Sequence, residues 1–198
     1  MNSYVSIGIA GWSYPDWHGI VYPRGICDQL RYVSTFVDCI EINSTFYRPP
    51  QEKDCLGWLT RTRHKKDFFF TAKLHQEFTH EGRIDAGVVG QFHQGFAPML
   101  KSGRLKHLLM QFRYDFVDSP EHRKYLQKLI SQFIQSFNIV LELRHKSWQQ
   151  LDALDFLGQL NITVANLDYP IGKDSFDLRN CTIGKTGYFR LHGRNAEK

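Results

Sequence analysis

The sequence has no run approaching the roughly 20 apolar residues that a membrane helix needs, and residues 1–6 lack a basic segment leading into a long apolar stretch. No helical membrane span or secretory leader is therefore expected, and a cytoplasmic protein is. Cysteine is scarce. Cys27, Cys39, Cys55 and Cys181 form no C-x-x-C pair and no zinc-ligand spacing, which predicts reduced thiols, with Cys39 inside a strand. Also missing are a Gly-rich phosphate loop, a nucleophile elbow and a dinucleotide fingerprint. Gly82, Gly87, Gly90 and Gly95 have the wrong spacing for one and fall in a helix-like segment. Internal repeats, low-complexity tracts and linkers are absent too, so the 198 residues predict one domain.

What the chain does have is seven short apolar runs, at 5–10, 39–42, 68–74, 108–112, 139–143, 162–167 and 188–191. Most end in polar groups: Glu41 and Asn43, Lys73, Gln111, Glu142 and Arg144, Asn166 and Asp168, Arg190 and His192. Strand side chains alternate faces, so Glu41 and Asn43 oppose Ile40 and Ile42, and Arg190 and His192 oppose Phe189 and Leu191. Both faces of a parallel sheet are covered, so one apolar face and one with a charged tip is a specific pattern. It predicts a ring of polar groups at the mouth of a parallel barrel, where barrel enzymes keep their chemistry.

Helical spacing fills the intervals at 28–36, 52–63, 85–101, 119–137 and 147–160, with Ser119 and Ser147 as caps and Pro120 in a first turn. Strand and helix alternating this often predict right-handed βαβ units and an α/β fold, a TIM-type β/α barrel. The chain is shorter than the roughly 250 residues of an eight-stranded barrel. The expectation is a single β/α-barrel domain over 1–198, incomplete at the C-terminus, with about seven parallel strands. The first and last strands then keep unpaired edges, which predicts self-association.

The net charge is +5, with nine histidines. Mild basicity favours an anionic ligand without requiring nucleic acid. After the first strand, Trp12, Tyr14 and Trp17 either wall a pocket or plug the barrel mouth. After the second, Glu41 and Asn43 face inward below Tyr47 and Arg48. A buried Glu41 needs a partner, and Lys73 is the candidate. Thr79 and His80 add a hydroxyl and an imidazole. The fifth strand turns Glu142 and Arg144 inward before His145, and the seventh turns Arg190 and His192 inward before Arg194.

Carboxylates beside guanidinium and imidazole groups suit proton transfer on an anionic substrate held in a bidentate fork. Glu142, Glu41, Lys73 and His192 are accordingly the catalytic candidates. Trp12, Asn43, Tyr47, His80, Arg144, His145, Asp168, Arg190 and Arg194 are candidates for holding a small phosphorylated substrate. A rival reading pairs Glu41, Glu142 and Asp168 with Lys73, Arg144 and Arg190 as a purely structural ion-pair network. The surplus of His80, His145, His192 and Arg194 favours an anion resting above it. No metal is expected, because Lys73, Arg144 and Arg190 would repel a divalent ion and no two ligand candidates share helical spacing. The residues specify no cofactor. A different class of function is non-catalytic binding of single-stranded nucleic acid, with Trp12, Trp17 and Tyr47 stacking bases.

Gly11-Trp12-Ser13-Tyr14, Glu41-Ile42-Asn43-Ser44-Thr45-Phe46-Tyr47, Thr79-His80, Glu142-Leu143-Arg144-His145 with Trp148, and Arg190-Leu191-His192-Gly193-Arg194-Asn195 together resemble the YecE-like family, domain of unknown function seventy-two. The resemblance runs in order from residue 7 to 195. It implies a TIM-type barrel and a bacterial or archaeal-style cytoplasmic protein, and it brings no settled reaction. The chain departs from the family pattern where Arg113-Tyr114-Asp115-Phe116 replaces a proline-rich stretch. It also ends at Lys198, where the family continues with a further helix and strand. The resemblance thus implies a truncated product without an eighth strand, for which a non-functional remnant is a further reading.

Overall fold

The computed structural model describes residues 4–177 and 182–193. In chain order the elements are β1 (Gly8–Ala10), α1 (Gln29–Val33), β2 (Cys39–Ile42), α2 (Glu52–Arg61), β3 (Phe69–Lys73), α3 (Gln76–Thr79), α4 (Ala86–Lys101), β4 (Leu105–Gln111), α5 (Pro120–Ser131), β5 (Ile139–Glu142), α6 (Leu151–Gly158), β6 (Thr163–Val164), β7 (Asn166–Asp168) and β8 (Phe189–Leu191). They group into two units, one from residues up to 75 with 86–107, the other from 76–85 with 108 onward. The fold class is α/β, with parallel strands and helices in alternation.

In the first unit β1, β2 and β3 are parallel neighbours, with Gly8 opposite Cys39 and Cys39 opposite Phe69. Ile40, Ile42, Phe70 and Ala72 are fully buried and form the core of this sheet. Gly8 is required there, since a Cβ would fall on the Cys39 sulfur and carbonyl oxygen. The helix α1 starts where the Asp28 carboxylate accepts from the Arg31 backbone N–H at 3.0 Å. Helix α4 packs against α2. It approaches so closely that a Cβ on Gly95 would overlap the Pro50 carbonyl.

The aromatic loop after β1 packs on itself and on α1 and α2. Tyr14, Trp17, Tyr22 and Tyr32 form successive ring contacts at 4.8, 5.8 and 6.0 Å. The Tyr22 hydroxyl donates to the Trp12 carbonyl at 2.5 Å.

In the second unit β4, β5 and β6 are parallel in that order, Gln111 standing opposite Glu142 and Leu141 opposite Val164. A separate parallel pair joins β7 to β8, with Leu167 opposite Arg190 and Asp168 opposite Leu191. The sixth apolar run is therefore two strands rather than one. Its first half pairs with β5 and its second with β8, and the break falls at buried Ala165, whose N–H donates to the Leu141 carbonyl at 2.8 Å.

Helix α5 begins as the sequence predicts, with the Ser119 hydroxyl accepting from the His122 N–H at 3.2 Å. It ends at Ser131, short of 137. Phe133 and Phe137 are still buried, so the apolar stripe marks burial beyond the helix as well as within it. The cap expected at Ser147 belongs instead to His145, whose Nδ1 accepts from the Ser147 N–H at 3.2 Å and starts a short 3-10 turn, Lys146–Gln149. Gln150 is extended (ψ 150°), which breaks the segment before α6. No helix among the described residues is long and apolar enough to cross a membrane.

Candidate functional site

Glu142 is the last residue of β5, and it is 0% exposed. An ionised carboxylate in that position is strongly unfavourable unless opposite charge and hydrogen-bond donors surround it. Three side chains supply them. Gln111, its register partner at the end of β4, donates Nε2 to Oε1 at 2.5 Å. Arg144, two residues beyond, folds back to donate Nε and Nη2 to Oε1 at 2.9 and 2.7 Å. Arg190, in the middle of β8, donates Nη1 to Oε2.

His192 completes the group. Its Nε2 lies 3.1 Å from Arg190 Nη1 and 3.7 Å from Glu142 Oε1. The His192 backbone N–H donates to the Asp168 carbonyl at 2.8 Å, which ties it to the end of β7. Burial alone would push the Glu142 carboxyl up, but the Arg190 and Arg144 charges and the bonds from Gln111 and Arg144 hold it below the ordinary carboxylate range. Glu142 is thus held as an anion. In that form it accepts from both guanidinium groups.

Among the described residues, Glu142 engages two guanidiniums at once. The side chains of Arg190, Arg144 and His192 are 12, 35 and 29% exposed. Arg144 and His192 therefore reach solvent while Glu142 does not. Residues 169–177 are fastened beside Arg144: the Phe176 N–H donates to the Arg144 carbonyl at 2.8 Å, and Lys146 pairs with Asp174 at 2.7 Å. Tyr169, which the sequence reading passed over, donates its hydroxyl to the Phe176 carbonyl at 2.9 Å and sets its ring edge-on to His192 at 6.5 Å. Its position directly after the polar end of the sixth run was the available signal.

The remaining sequence candidates sit as follows. His145 is engaged locally, its Nδ1 2.9 Å from the Ser147 hydroxyl and accepting from the same residue's backbone. Nearby Trp148 is fully buried, donates Nε1 to the Phe116 carbonyl at 2.7 Å and stacks on the Phe116 ring. The second unit also holds Asp168, half-buried at the end of β7, and His80, whose Nδ1 lies 2.9 Å from the Thr79 hydroxyl after α3.

In the first unit Glu41 is buried at the end of β2 and Asn43 half-buried just after it. Lys73 places its ammonium 3.9 Å from the Phe46 ring centre, a cation–π contact. Tyr47 is exposed and edge-on to Phe46, and Trp12 is edge-on to Trp58 at 5.8 Å. Arg194 lies outside the described residues. Among the described residues no three His, Cys, Asp or Glu side chains converge to hold a metal ion.

A parallel α/β scaffold with a buried carboxylate clamped between two guanidiniums at its strand ends defines the class of molecule. Within that class, the chain belongs to the family described as Protein of unknown function DUF72, whose model matches residues 6–198. The chain is similar to the crystal structure of a DUF72 family protein from Thermotoga maritima, with 30% sequence identity and a TM-score of 0.82 over 96% of this chain and 75% of that one. A DUF72 family protein from Enterococcus faecalis is similar in fold, at 22% identity and a TM-score of 0.82, over 97% of this chain and 72% of that one. No curated protein matches the chain.

Proposed function

We propose that the cluster around Glu142 binds a small anion, the phosphoryl or carboxylate group of a metabolite-sized ligand, for acid/base chemistry. Arg144 and Arg190 form the clamp, Glu142 orients both, and His192 is the group placed to move a proton. The observation that carries this reading is geometric: a carboxylate sealed from solvent anchors guanidiniums from two separate segments, and Arg144 and His192 beside it reach solvent. Planar guanidinium forks match phosphate and carboxylate oxygens, and Arg144 presents its fork partly to solvent. With Nε2 accepting from Arg190, His192 carries its proton on Nδ1.

The test is ligand-dependent thermal stability with inorganic phosphate and ribose 5-phosphate. Saturable stabilisation is expected in wild type and should be lost in Arg144→Gln, whose side chain is partly exposed. If neither anion stabilises the protein at millimolar concentration, the ion-pair network is structural and the proposal fails.

A further inference from the structure

The chain's positive excess is not spread evenly. Residues 61–67 and 101–107 hold seven of the 25 Lys and Arg residues but one of the 20 Asp and Glu residues, so the rest of the chain is slightly negative against a net charge of +5. Both segments belong to the first unit. The fold brings them together: Arg104 Nη2 donates to the Thr62 and Lys65 carbonyls, each at 3.3 Å, and the Phe70 N–H donates to the Arg104 carbonyl at 2.7 Å.

A third loop joins them. Lys65 Nζ donates to the Val37 carbonyl at 2.7 Å, and His64 Nε2 lies 3.4 Å from the Ser34 hydroxyl. Between these two tethers stands Phe36, a large apolar side chain that is 68% exposed. Local carboxylates offset part of the charge, as Asp28 pairs with Arg61 at 2.6 Å and Asp38 with Lys65 at 3.2 Å, while Asp67 lies near Arg104. Arg63, Lys66 and Lys101 are exposed and pair with no carboxylate among the described residues.

We propose that this basic rim is a binding surface for single-stranded nucleic acid, with phosphates on Arg63, Lys66 and Lys101 and a base stacked on Phe36. An exposed aromatic ring among cations is the arrangement that single-strand binders use, stacking for affinity and cations to follow the backbone. The cations lie mostly on connecting loops and not along an amphipathic helix of the kind that settles into a lipid interface. The surface shares no residue with the Glu142 cluster.

The experiment is fluorescence anisotropy with a short labelled oligouridylate across about 50 to 200 mM salt. Three phosphate contacts on a single strand predict a log–log slope of about −2. Combined Arg63→Gln, Lys66→Gln and Lys101→Gln should weaken binding by about tenfold or more and flatten that slope. Phe36→Ala should weaken it by about tenfold with the slope unchanged. Should the triple variant fail to fold, Lys101→Gln alone, at the exposed end of α4, is expected to reduce the slope by about 0.7. No binding at the lowest salt, or unaltered binding by the folded variants, overturns the proposal. So does equal affinity for duplex with no effect of Phe36→Ala. Cosedimentation with phosphatidylserine vesicles in the absence of oligouridylate binding would assign the rim to a membrane surface instead.

Discussion

Arg190 on β8 reaches back 48 residues along the chain to donate to the Glu142 carboxylate, which is sealed from solvent at the end of β5. This ion pair ties the β7–β8 ladder to the β4–β5–β6 sheet of the same unit. Its loss would be felt in both.

Glu142→Gln removes the buried carboxylate that pairs with Arg144 and Arg190, and it leaves the nearly buried Arg190 beside a neutral amide. We expect a destabilisation of about 3–5 kcal/mol, the range for breaking a buried pair from one side. Urea unfolding of wild type and variant measures it directly. A difference below about 1 kcal/mol, typical of an exposed pair, would show that the bond contributes little.

The same carboxylate sets a pH dependence. Its native pKa is depressed, so its contribution is fully present above the ordinary glutamate value of about 4.3 and is lost as pH falls through the native value. Thermal melts between neutral pH and about pH 3 should show a loss of stability on the acid side of that range. In Glu142→Gln this part of the loss should be absent.

Two glycines of α4 should respond in opposite directions. Gly95→Ala drives a methyl group into the Pro50 carbonyl, and a loss of about 1–3 kcal/mol is expected from overpacking. Gly90 has open space around it, and Gly90→Ala should stabilise by about 0.5–1 kcal/mol through helix propensity. Parallel denaturant curves on the two variants decide the matter.

Burial, with neighbouring carboxylates adding to it, pushes the Cys39 thiol up to about 11 and the Cys55 thiol up to about 12. Cys27 is exposed. Native protein treated with a thiol-specific disulfide reagent near pH 8 should be modified at Cys27 well before Cys39 and Cys55, which should react at full rate only on unfolding. Peptide mapping at intermediate times identifies the order.

Much of this arrangement was legible in the residues, and for definite reasons. Run 39–42 coincides with β2, and Glu142 and Arg190, placed together by the polar strand ends, do meet, whereas Phe189 and Leu191, expected on a covered apolar face, are exposed. Helix α3 was not legible, because four residues carry no periodicity. The stripe through Phe137 overran α5, because a stripe reports burial and the chain keeps burying rings after the helix ends. Gln111 was seen as a strand end but not as a partner of Glu142, since a neutral amide gives no charge signal. The cap at His145 was assigned to Ser147, because serine is the commoner capping residue.

Ala165 gives the second unit an unusual point of vulnerability. A six-residue stretch serves two different ladders on either side of a single alanine, so its length is constrained from both directions. Deleting one residue there would leave Thr163 and Val164 in place while inverting which of Asn166, Leu167 and Asp168 faces inward. His192, held to the Asp168 carbonyl, would lose its anchor even though no residue of the cluster had been altered.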